Sequence, residues 1–347
     1  RAIISELLKK KNSVRVVSSS NLIILKEKFE NKIEYFNSDH IIKTVKDKNG
    51  SLSVGPTKRN FKKWFKKKDK WVKNNIKFIN NCDFIISDFV PSAFKLAHIK
   101  KIPAYGVCHF TWDWFYKKIF GIKDKIYFEL KNNVHLATKV FFPPFTFKET
   151  LKEFRENLKT VNFILTDFNF KRSKKKKKKQ CLVMDNGNNS LRSQITKSLP
   201  FFEKIKNIEF ILRVDAMSEK QKKFITNSKN LIPVSGLKNT HEKILEADFL
   251  IARGGFNTIS ECLVLKKPSM LFYEKRNPEV KNNLETINNL GYTFLINNND
   301  CGKNLSRTIK RFNSKYNLIK KKLDKKRYKN SGALEIVNDI LKNLGKS

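Results

Sequence analysis

The segment Asp248–Leu265 constrains the fold of this chain more than any other stretch. The apolar run Phe249–Ala252 is typical of a buried parallel strand. A glycine turn, Arg253–Gly255, follows it, and a helical pattern begins at Thr258. Glycines let a ligand approach the backbone, and the unpaired N–H groups and dipole of a helix start attract negative charge. The segment therefore predicts a phosphate-bearing ligand, most simply a nucleotide.

Length and charge limit the class of protein. A chain of 347 residues is too long for one ordinary core, so two domains are expected. Lys and Arg number 73 against 32 for Asp and Glu, a formal net charge of +41 that is compatible with nucleic-acid binding. The lysines are spread along the whole chain, however, whereas base contacts favour arginine. We therefore expect nucleotide sugars and acidic membrane surfaces as partners, and no nucleic acid.

The cysteines and the apolar segments indicate the compartment. The five cysteines show no C-x-x-C spacing, so zinc and redox motifs are not expected. Cys82, Cys108, Cys181 and Cys262 lie in apolar stretches and are predicted to be buried thiols in a reducing compartment. No stretch has the length of a membrane span and no signal peptide is visible. The expected location is cytoplasmic, at most peripheral to the inner membrane surface.

Helical and strand patterns alternate along the chain, which predicts an α/β fold with two doubly wound parallel sheets. The predicted domains are residues 1–160 and 181–330, and residues 331–347 contain a last amphipathic helix. The predicted linker, 161–180, ends in the lysine run Lys174–Lys179, which is expected to be a solvated loop. The predicted strands are Val14–Ser18, Asp83–Ser87, Ala104–Cys108 and Lys139–Phe142, then Cys181–Met184, Phe210–Val214, Leu231–Val234, Phe249–Ala252 and Ser269–Phe272.

Two acidic residues of the second domain have two interpretations each. Glu261, one turn into the helix after the glycine turn, can accept two hydrogen bonds from a ribose diol. Equally, Thr258-x-x-Glu261 fits a capping box. A second helix is predicted to begin at Pro278, with Glu279 and Asn283 in its first turns and facing the same ligand. The other interpretation is that Glu279 only complements the dipole of that helix.

These motifs together resemble a known family. R-G-G-F-N-T-I-S-E at 253–261, Lys267-Pro268, Pro278-Glu279 and Asn283 resemble the C-terminal half of GT-B glycosyltransferases. The group includes the N-acetylglucosaminyltransferase of peptidoglycan synthesis. The resemblance implies two Rossmann-like domains that face a central cleft, with the nucleotide sugar held by the second domain.

The resemblance also implies individual roles. The glycines and Thr258 would lie near the diphosphate, Glu261 would hold the ribose, and Glu279 and Asn283 would lie near the sugar. Val280 departs from the family pattern, because the family has there a Gln that contacts the donor sugar. The implied donor-binding residues are Arg253, Gly254, Gly255, Thr258, Glu261, Glu279, Asn283 and Gly187, the last in the loop after the first strand of the domain.

The first domain carries a second resemblance. S-D-F-V-P at 87–91, Ile102-Pro103 and F-T-W-D-W at 110–114 resemble the glycosyltransferase-like N-terminal region of plant L-arabinokinases and its bacterial relatives. No phosphate loop of a sugar kinase follows, so kinase activity is not expected. Arg1–Ile4 resembles the end of a G-x-G-H-x-x-R motif and the helix after it, which implies a strand and a histidine upstream of residue 1.

Two residues of the first domain are candidate catalytic bases. Asp88 follows one predicted strand and His109 follows the next, so both are expected at the carboxyl edge of the sheet. Either side chain can take the proton of an acceptor hydroxyl. The alternatives are an N-cap role for Asp88 and a structural role for His109.

The stretch Lys58–Lys77 interleaves lysines with Phe61, Trp64, Phe65 and Trp71. Such a helix can lie on an anionic membrane, which would suit a lipid-linked acceptor. The other interpretation is an ordinary helix whose apolar stripe packs on the core while its lysines face solvent.

The function expected from these features is that of a hexosyltransferase-type glycosyltransferase. It would move a sugar from a nucleotide sugar, expected to be UDP-linked, to a hydroxyl acceptor. No metal or other cofactor is expected, since helix dipoles and basic groups such as Arg253 can stabilise the leaving diphosphate. The alternatives are a nucleotide-sugar 2-epimerase, a nucleotide-sugar-binding protein without catalysis, and a nucleic-acid-binding protein.

Overall fold

A computed structural model defines two compact units. It describes residues 1–19, 22–38, 40–47, 50–154, 156–166, 177–185, 187–236, 240–297 and 300–345. The first unit comprises Arg1–Val45, Leu52–Thr166 and Lys329–Ser347, and the second comprises Lys46–Ser51 and Asp167–Tyr328. The short segment Lys46–Ser51 thus belongs to the second unit although it lies within the sequence of the first.

The first unit contains a four-stranded parallel sheet in the order β3-β4-β5-β6 and a two-stranded parallel sheet, β1-β2. Its strands are β1 (Arg15–Ser18), β2 (Glu34–Asn37), β3 (Ile85–Ser87), β4 (Ala104–Val107), β5 (Lys139–Phe142) and β6 (Leu158–Thr160). Its helices are α1 (Ala2–Lys9), α2 (Leu22–Phe29), α3 (Val54–Asn75), α4 (Pro91–Lys100), α5 (Trp112–Phe120), α6 (Lys125–His135), α7 (Lys148–Glu153) and, from the end of the chain, α14 (Gly332–Asn343).

The last helix, α14, completes the core of the first unit. Ile336 and Ile340 are fully buried against Tyr105 and Phe141 of the sheet. Asp339 adds ion pairs of 2.7 Å to Lys139 and 2.6 Å to Lys159. The apolar face of α14 therefore packs on strands that lie far away in the sequence.

The second unit contains a six-stranded parallel sheet in the order β12-β11-β10-β7-β8-β9. Its strands are β7 (Lys179–Val183), β8 (Ile208–Arg213), β9 (Leu231–Val234), β10 (Phe249–Arg253), β11 (Ser269–Phe272) and β12 (Thr293–Ile296). Its helices are α8 (Asn189–Phe202), α9 (Glu219–Asn227), α10 (Thr240–Glu246), α11 (Phe256–Val264), α12 (Pro278–Asn289) and α13 (Lys303–Asp324).

The predicted α/β alternation is confirmed, with corrections to its details. Each of the nine predicted strands is present within a few residues, whereas β2, β6 and β12 were not predicted. Lys179 opens β7 instead of ending a loop, and Lys174–Lys176 lie outside the described residues. Cys82 is half-buried and not fully buried as predicted. Among the residues that the structure describes, no helix combines the length and apolar character that a membrane span needs.

The glycine turn shapes the packing of the second unit. β10 is buried throughout Phe249–Ala252 and lies between β7 and β11 in the sheet. A Cβ atom on Gly254 would overlap the Leu284 side chain of α12, which is fully buried and has no room to yield. A Cβ atom on Gly255 would meet nothing within 4 Å. The first glycine thus allows close packing, and the second leaves open space beside the start of α11.

The two glycines make a matched pair of substitutions. Gly254→Ala should lower the free energy of unfolding by about 1–3 kcal/mol, because the added methyl group overpacks the contact with Leu284. Gly255→Ala should change it by less than about 0.5 kcal/mol, because the poorer helix cap and the stiffer unfolded chain oppose each other. Chemical denaturation followed by circular dichroism measures both. Equal losses from the two substitutions would contradict this account of the turn.

Candidate functional site

The carboxyl ends of three neighbouring strands of the second unit, β7, β10 and β11, bring the predicted donor-binding residues to one edge of the sheet. Arg253 ends β10 in register with Phe272, the last residue of β11. On the other side of β10, the Met184 N–H donates to the Ile251 carbonyl. The loops after these strands therefore start at the same level, which is where open α/β sheets bind ligands.

Helix α11 begins at Phe256 and not at Thr258 as predicted, and its N-cap is Gly255. Glycine has no side chain with which to cap the helix, and open space lies beside this residue. Thr258 is buried in the first turn. The start of α11 therefore keeps the features that attract an anion, namely a helix of nine residues and an uncrowded glycine at its cap.

The capping-box interpretation of Glu261 is wrong. A capping box joins the N-cap residue to the third helical residue, and here those are Gly255 and Thr258. Glu261 lies nearly one turn further along the helix and is half-buried. The ribose contact implied for Glu261 stays a prediction.

Arg253 forms an ion pair that the sequence did not predict. Its Nε and Nη2 atoms donate to Glu274 Oε2 at 3.1 and 2.9 Å. Both side chains are largely buried, with 20% of Arg253 and 6% of Glu274 exposed. Glu274 thus offsets the positive charge that Arg253 was expected to direct at a diphosphate.

Helix α12 brings Glu279 and Asn283 together. The Asn277 side chain caps the helix by accepting hydrogen bonds from the N–H groups of Glu279 and Val280. Asn283 Nδ2 donates to Glu279 Oε1 at 3.1 Å. Its Oδ1 atom is buried and has no hydrogen-bond partner among the residues described. Val280 is fully buried, so the position at which the family has Gln contributes to the core here.

Lys46, from the short segment assigned to the second unit, adds a positive charge near this site. Partial burial and the charge of Arg253 lower the pKa of Lys46, while the carboxylates of Glu274 and Glu279 oppose that shift. The four side chains therefore lie within electrostatic range of one another. Two cations and two anions leave this part of the site close to neutral.

Side chains of the loop around Gly187 form hydrogen bonds and an ion pair with neighbouring residues of the same segment. Asn188 accepts hydrogen bonds from the N–H groups of Ser190 and Leu191, at 3.0 and 3.2 Å. Asp185 accepts from the Gly187 N–H at 2.9 Å and forms an ion pair with Arg192. Gly187 has a φ of +71°, a conformation that favours glycine. Side chains of this loop therefore cap the start of α8.

In the first unit, Asp88 and His109 follow adjacent strands, as predicted. Ser87 of β3 is in register with Gly106 of β4, so the residues after these two strands meet at one edge. Burial by the surrounding atoms raises the pKa of Asp88, and the charge of His109 opposes this shift. The residue is nevertheless exposed to solvent. The N-cap interpretation of Asp88 is wrong, since Val90 caps α4.

The turn that carries Asp88 is strained. Phe89 has a φ of +46°, which costs a residue with a side chain about 1–3 kcal/mol. The turn is held by a hydrogen bond from the Val90 N–H to Ser87 Oγ at 2.8 Å and by the burial of Phe89, of which 4% is exposed. Strain of this kind is concentrated at functional sites, which supports Asp88 as a candidate base.

No cluster of three or more His, Cys, Asp or Glu side chains suited to a metal ion is found among the described residues. The expectation that no metal takes part stays a prediction.

The chain was compared with known families and structures. Residues 186–343 match the glycosyltransferase family 28 C-terminal domain. MurG of Acinetobacter baumannii is 12% identical with a TM-score of 0.63, over 98% of this chain and 94% of that chain. CalG4, the calicheamicin glycosyltransferase, is 11% identical with a TM-score of 0.69, over 99% and 94%. MnaA of S. aureus with UDP is 12% identical with a TM-score of 0.65, over 100% and 93%. No curated protein sequence matches the chain.

These findings define the class of the protein. Its parallel α/β units and its likeness to these structures along nearly the whole chain give it the GT-B fold. The match to the glycosyltransferase family 28 C-terminal domain covers most of the second unit. The resemblance of residues 87–114 to L-arabinokinases stays a prediction.

The raised pKa of Asp88 predicts how its removal affects stability. Because the pKa of Asp88 is above its ordinary value of 3.8 in the folded protein, the folded state binds the proton more tightly than the unfolded chain. The free energy of unfolding therefore falls as pH rises from the ordinary pKa through the raised one. Asp88→Asn should make the protein more stable at neutral pH, and the difference should vanish in acid. Thermal unfolding across the pH range measures this.

Asp215→Asn is the control, with the opposite sign. Hydrogen bonds from Arg213 and from the Gly236 N–H lower the pKa of Asp215. Its replacement should therefore destabilise the protein at neutral pH. A loss of stability from Asp88→Asn at neutral pH would show that the fold does not raise the pKa of Asp88.

Proposed function

We propose that the chain transfers a sugar from a nucleotide sugar to a hydroxyl acceptor. The observation that carries this proposal is the β10–α11 turn, where Gly255 leaves open space at the start of α11. Glu261 lies on the same helix. The turn lies inside the region that matches the glycosyltransferase family 28 domain. A helix start binds the phosphates of such a donor, and a carboxylate on the same helix binds its ribose.

A UDP-linked donor is the finer part of the proposal. One protein of the same fold, MnaA, has been solved with UDP. Glu261 is a suitable partner for the two ribose hydroxyls, because an ionised carboxylate accepts several hydrogen bonds. The start of α11 and Lys46 would meet the diphosphate, and Arg253 would contribute less because of its pairing with Glu274.

The first unit would supply the base. Asp88 is the candidate base of this unit. In such a transfer the base accepts the proton of the acceptor hydroxyl as that oxygen attacks the anomeric carbon of the sugar and the nucleoside diphosphate leaves. The raised pKa makes this carboxylate a better base than an ordinary one. We propose that no metal is needed, since the helix start and a cation stabilise the leaving group.

A donor-binding protein without catalysis is the second candidate. It is favoured by three departures at the donor site: the pairing of Arg253, the internally capped start of α8, and the buried Val280. Incubation with UDP-sugars separates the candidates. Transfer to an added acceptor supports the first, binding without turnover supports the second, and conversion of the sugar without an acceptor indicates an epimerase.

Glu261→Ala tests the donor site directly. The substitution should weaken UDP binding about tenfold or more, because it removes charged hydrogen bonds to the ribose. Isothermal titration calorimetry measures the affinity, and the thermal shift with UDP should fall accordingly. Glu219→Ala, at an exposed glutamate of α9, is the control and should leave UDP affinity unchanged.

The panel for this experiment includes GDP, ADP and dTDP. Stabilisation by one of these instead of UDP would show that the donor carries a different nucleotide base. No stabilisation of the unmodified chain by any of the four would overturn the proposed function.

We propose further that a lipid-linked acceptor is reached through contact with an anionic membrane. The apolar stripe of α3 is buried, with 0% of Phe61 and 3% of Trp64 exposed, so these rings pack in the core. The opposite face of α3 is exposed and basic. Ile122, just before α6, and Phe128 of α6 are 49% and 52% exposed and add apolar side chains to the surface of the same unit. The exposed lysines of α3 are Lys62, Lys63, Lys66, Lys67, Lys70 and Lys73.

Co-sedimentation with vesicles tests the membrane contact. The chain should bind phosphatidylglycerol-containing vesicles and not pure phosphatidylcholine, and salt should weaken the binding. Exchange of Lys62, Lys63, Lys66 and Lys67 for Gln should lower the binding about tenfold or more, since each lysine near a surface contributes about 1 kcal/mol. The matched control exchanges four exposed lysines of α13 and its C-cap, namely Lys303, Lys310, Lys321 and Lys325. An equal loss in the control would show that vesicle binding depends on net charge alone and not on the basic face of α3.

A further inference from the structure

Glu274 is a buried carboxylate with only one of its two oxygens satisfied. Oε2 accepts both hydrogen bonds from Arg253. Oε1 is buried and has no hydrogen-bond partner among the residues that the structure describes. Buried polar atoms in native proteins are nearly always paired, and charged ones in particular. The unpaired carboxylate oxygen therefore requires a hydrogen-bond donor from outside the chain, either a water molecule or a group of a ligand.

The carboxylate borders a small cavity within the second unit. About 20 Å³ of it is open to the centre of a water molecule, which is enough for one group of that size. Phe272 contributes an apolar wall, and Ser190 and Gln194 contribute polar groups. The lining residues are Gly50, Asn188, Ser190, Leu191, Gln194, Arg253, Phe272 and Glu274.

The chemistry of Glu274 selects the group that fits. An ionised carboxylate only accepts hydrogen bonds, so the partner must offer an O–H or an N–H group. Phosphate oxygens are negatively charged acceptors and would be repelled. Arg253 is already paired with Glu274, so its charge does not attract an anion into this cavity. A neutral hydroxyl or amide group is therefore the matching ligand chemistry.

We propose that Glu274 determines which sugar the site accepts, with Oε1 accepting a hydrogen bond from a hydroxyl or N–H group of the transferred sugar. This inference rests on the proposed function. Arg253 is then a positioning residue that fixes the carboxylate through its other oxygen. Glu274 thereby supplies a sugar contact from the loop after β11, in a chain whose Val280 is buried in the core.

Glu274→Gln tests the assignment with little change in shape. The amide oxygen can keep the hydrogen bond from Arg253, which turns the amide NH₂ group towards the cavity and replaces an acceptor by a donor. Calorimetry gives the affinities for UDP, UDP-glucose, UDP-galactose and UDP-N-acetylglucosamine. For the best-bound sugar, the affinity relative to UDP should fall about tenfold in the variant. The affinity for UDP itself should change less than about twofold, since UDP carries no sugar.

Glu274→Asp provides a second variant that keeps the charge. It withdraws the carboxylate from the cavity and should lose the same preference for a sugar over UDP. Glu285→Gln is the matched control, because this exposed carboxylate of α12 accepts a hydrogen bond from Tyr273 and is not among the cavity-lining residues. Thermal unfolding confirms that each variant folds.

The possible results separate the inference from the function on which it rests. A preference for sugar over UDP that stays the same in both variants overturns the role of Glu274. So does a loss that is equal for UDP and UDP-sugars, since Glu274 would then act on the nucleotide or on the fold. If the unmodified chain binds none of UDP, GDP, ADP and dTDP and no sugar linked to them, the proposed function itself fails.

Discussion

The contact between Gly254 and Leu284 is the constraint on which the donor site depends. Because Gly254 has no Cβ atom, the turn after β10 packs directly against α12. This contact fixes the start of α11, and with it Gly255, relative to α12. A side chain in place of Gly254 would separate the two helices whose first turns form the site. The glycine turn therefore has a packing role at Gly254, and the binding role that we propose for the turn belongs to Gly255.

Sequence patterns predicted the fold because the strands of a parallel sheet are continuous apolar runs that are visible locally. They also predicted that Asp88 and His109 meet, since both follow neighbouring strands. Glu274 was missed because it belongs to no motif and becomes informative only through Arg253, 21 residues away. The start of α11 was misplaced because a glycine N-cap leaves no side-chain signal.

The net charge of the chain and the charge of its donor site differ. The sequence carries +41, yet Lys46 and Arg253 face Glu274 and Glu279 in close to equal balance. A uniformly basic surface raises the local concentration of anionic ligands without distinguishing among them. Discrimination requires groups that are buried and directional, such as the half-satisfied carboxylate of Glu274. On our proposal, the net charge attracts anionic ligands, whereas Glu274 selects among their sugars.

The place of α14 in the first unit has a consequence for synthesis. Ile336 and Ile340 pack on Tyr105 and Phe141, and Asp339 pairs with Lys139 at a sequence separation of 200 residues. Domains fold as units while the chain emerges from the ribosome. The second unit is fully translated before α14 appears, so the half that is made first completes its core last. Until then its sheet exposes the apolar face that α14 later covers.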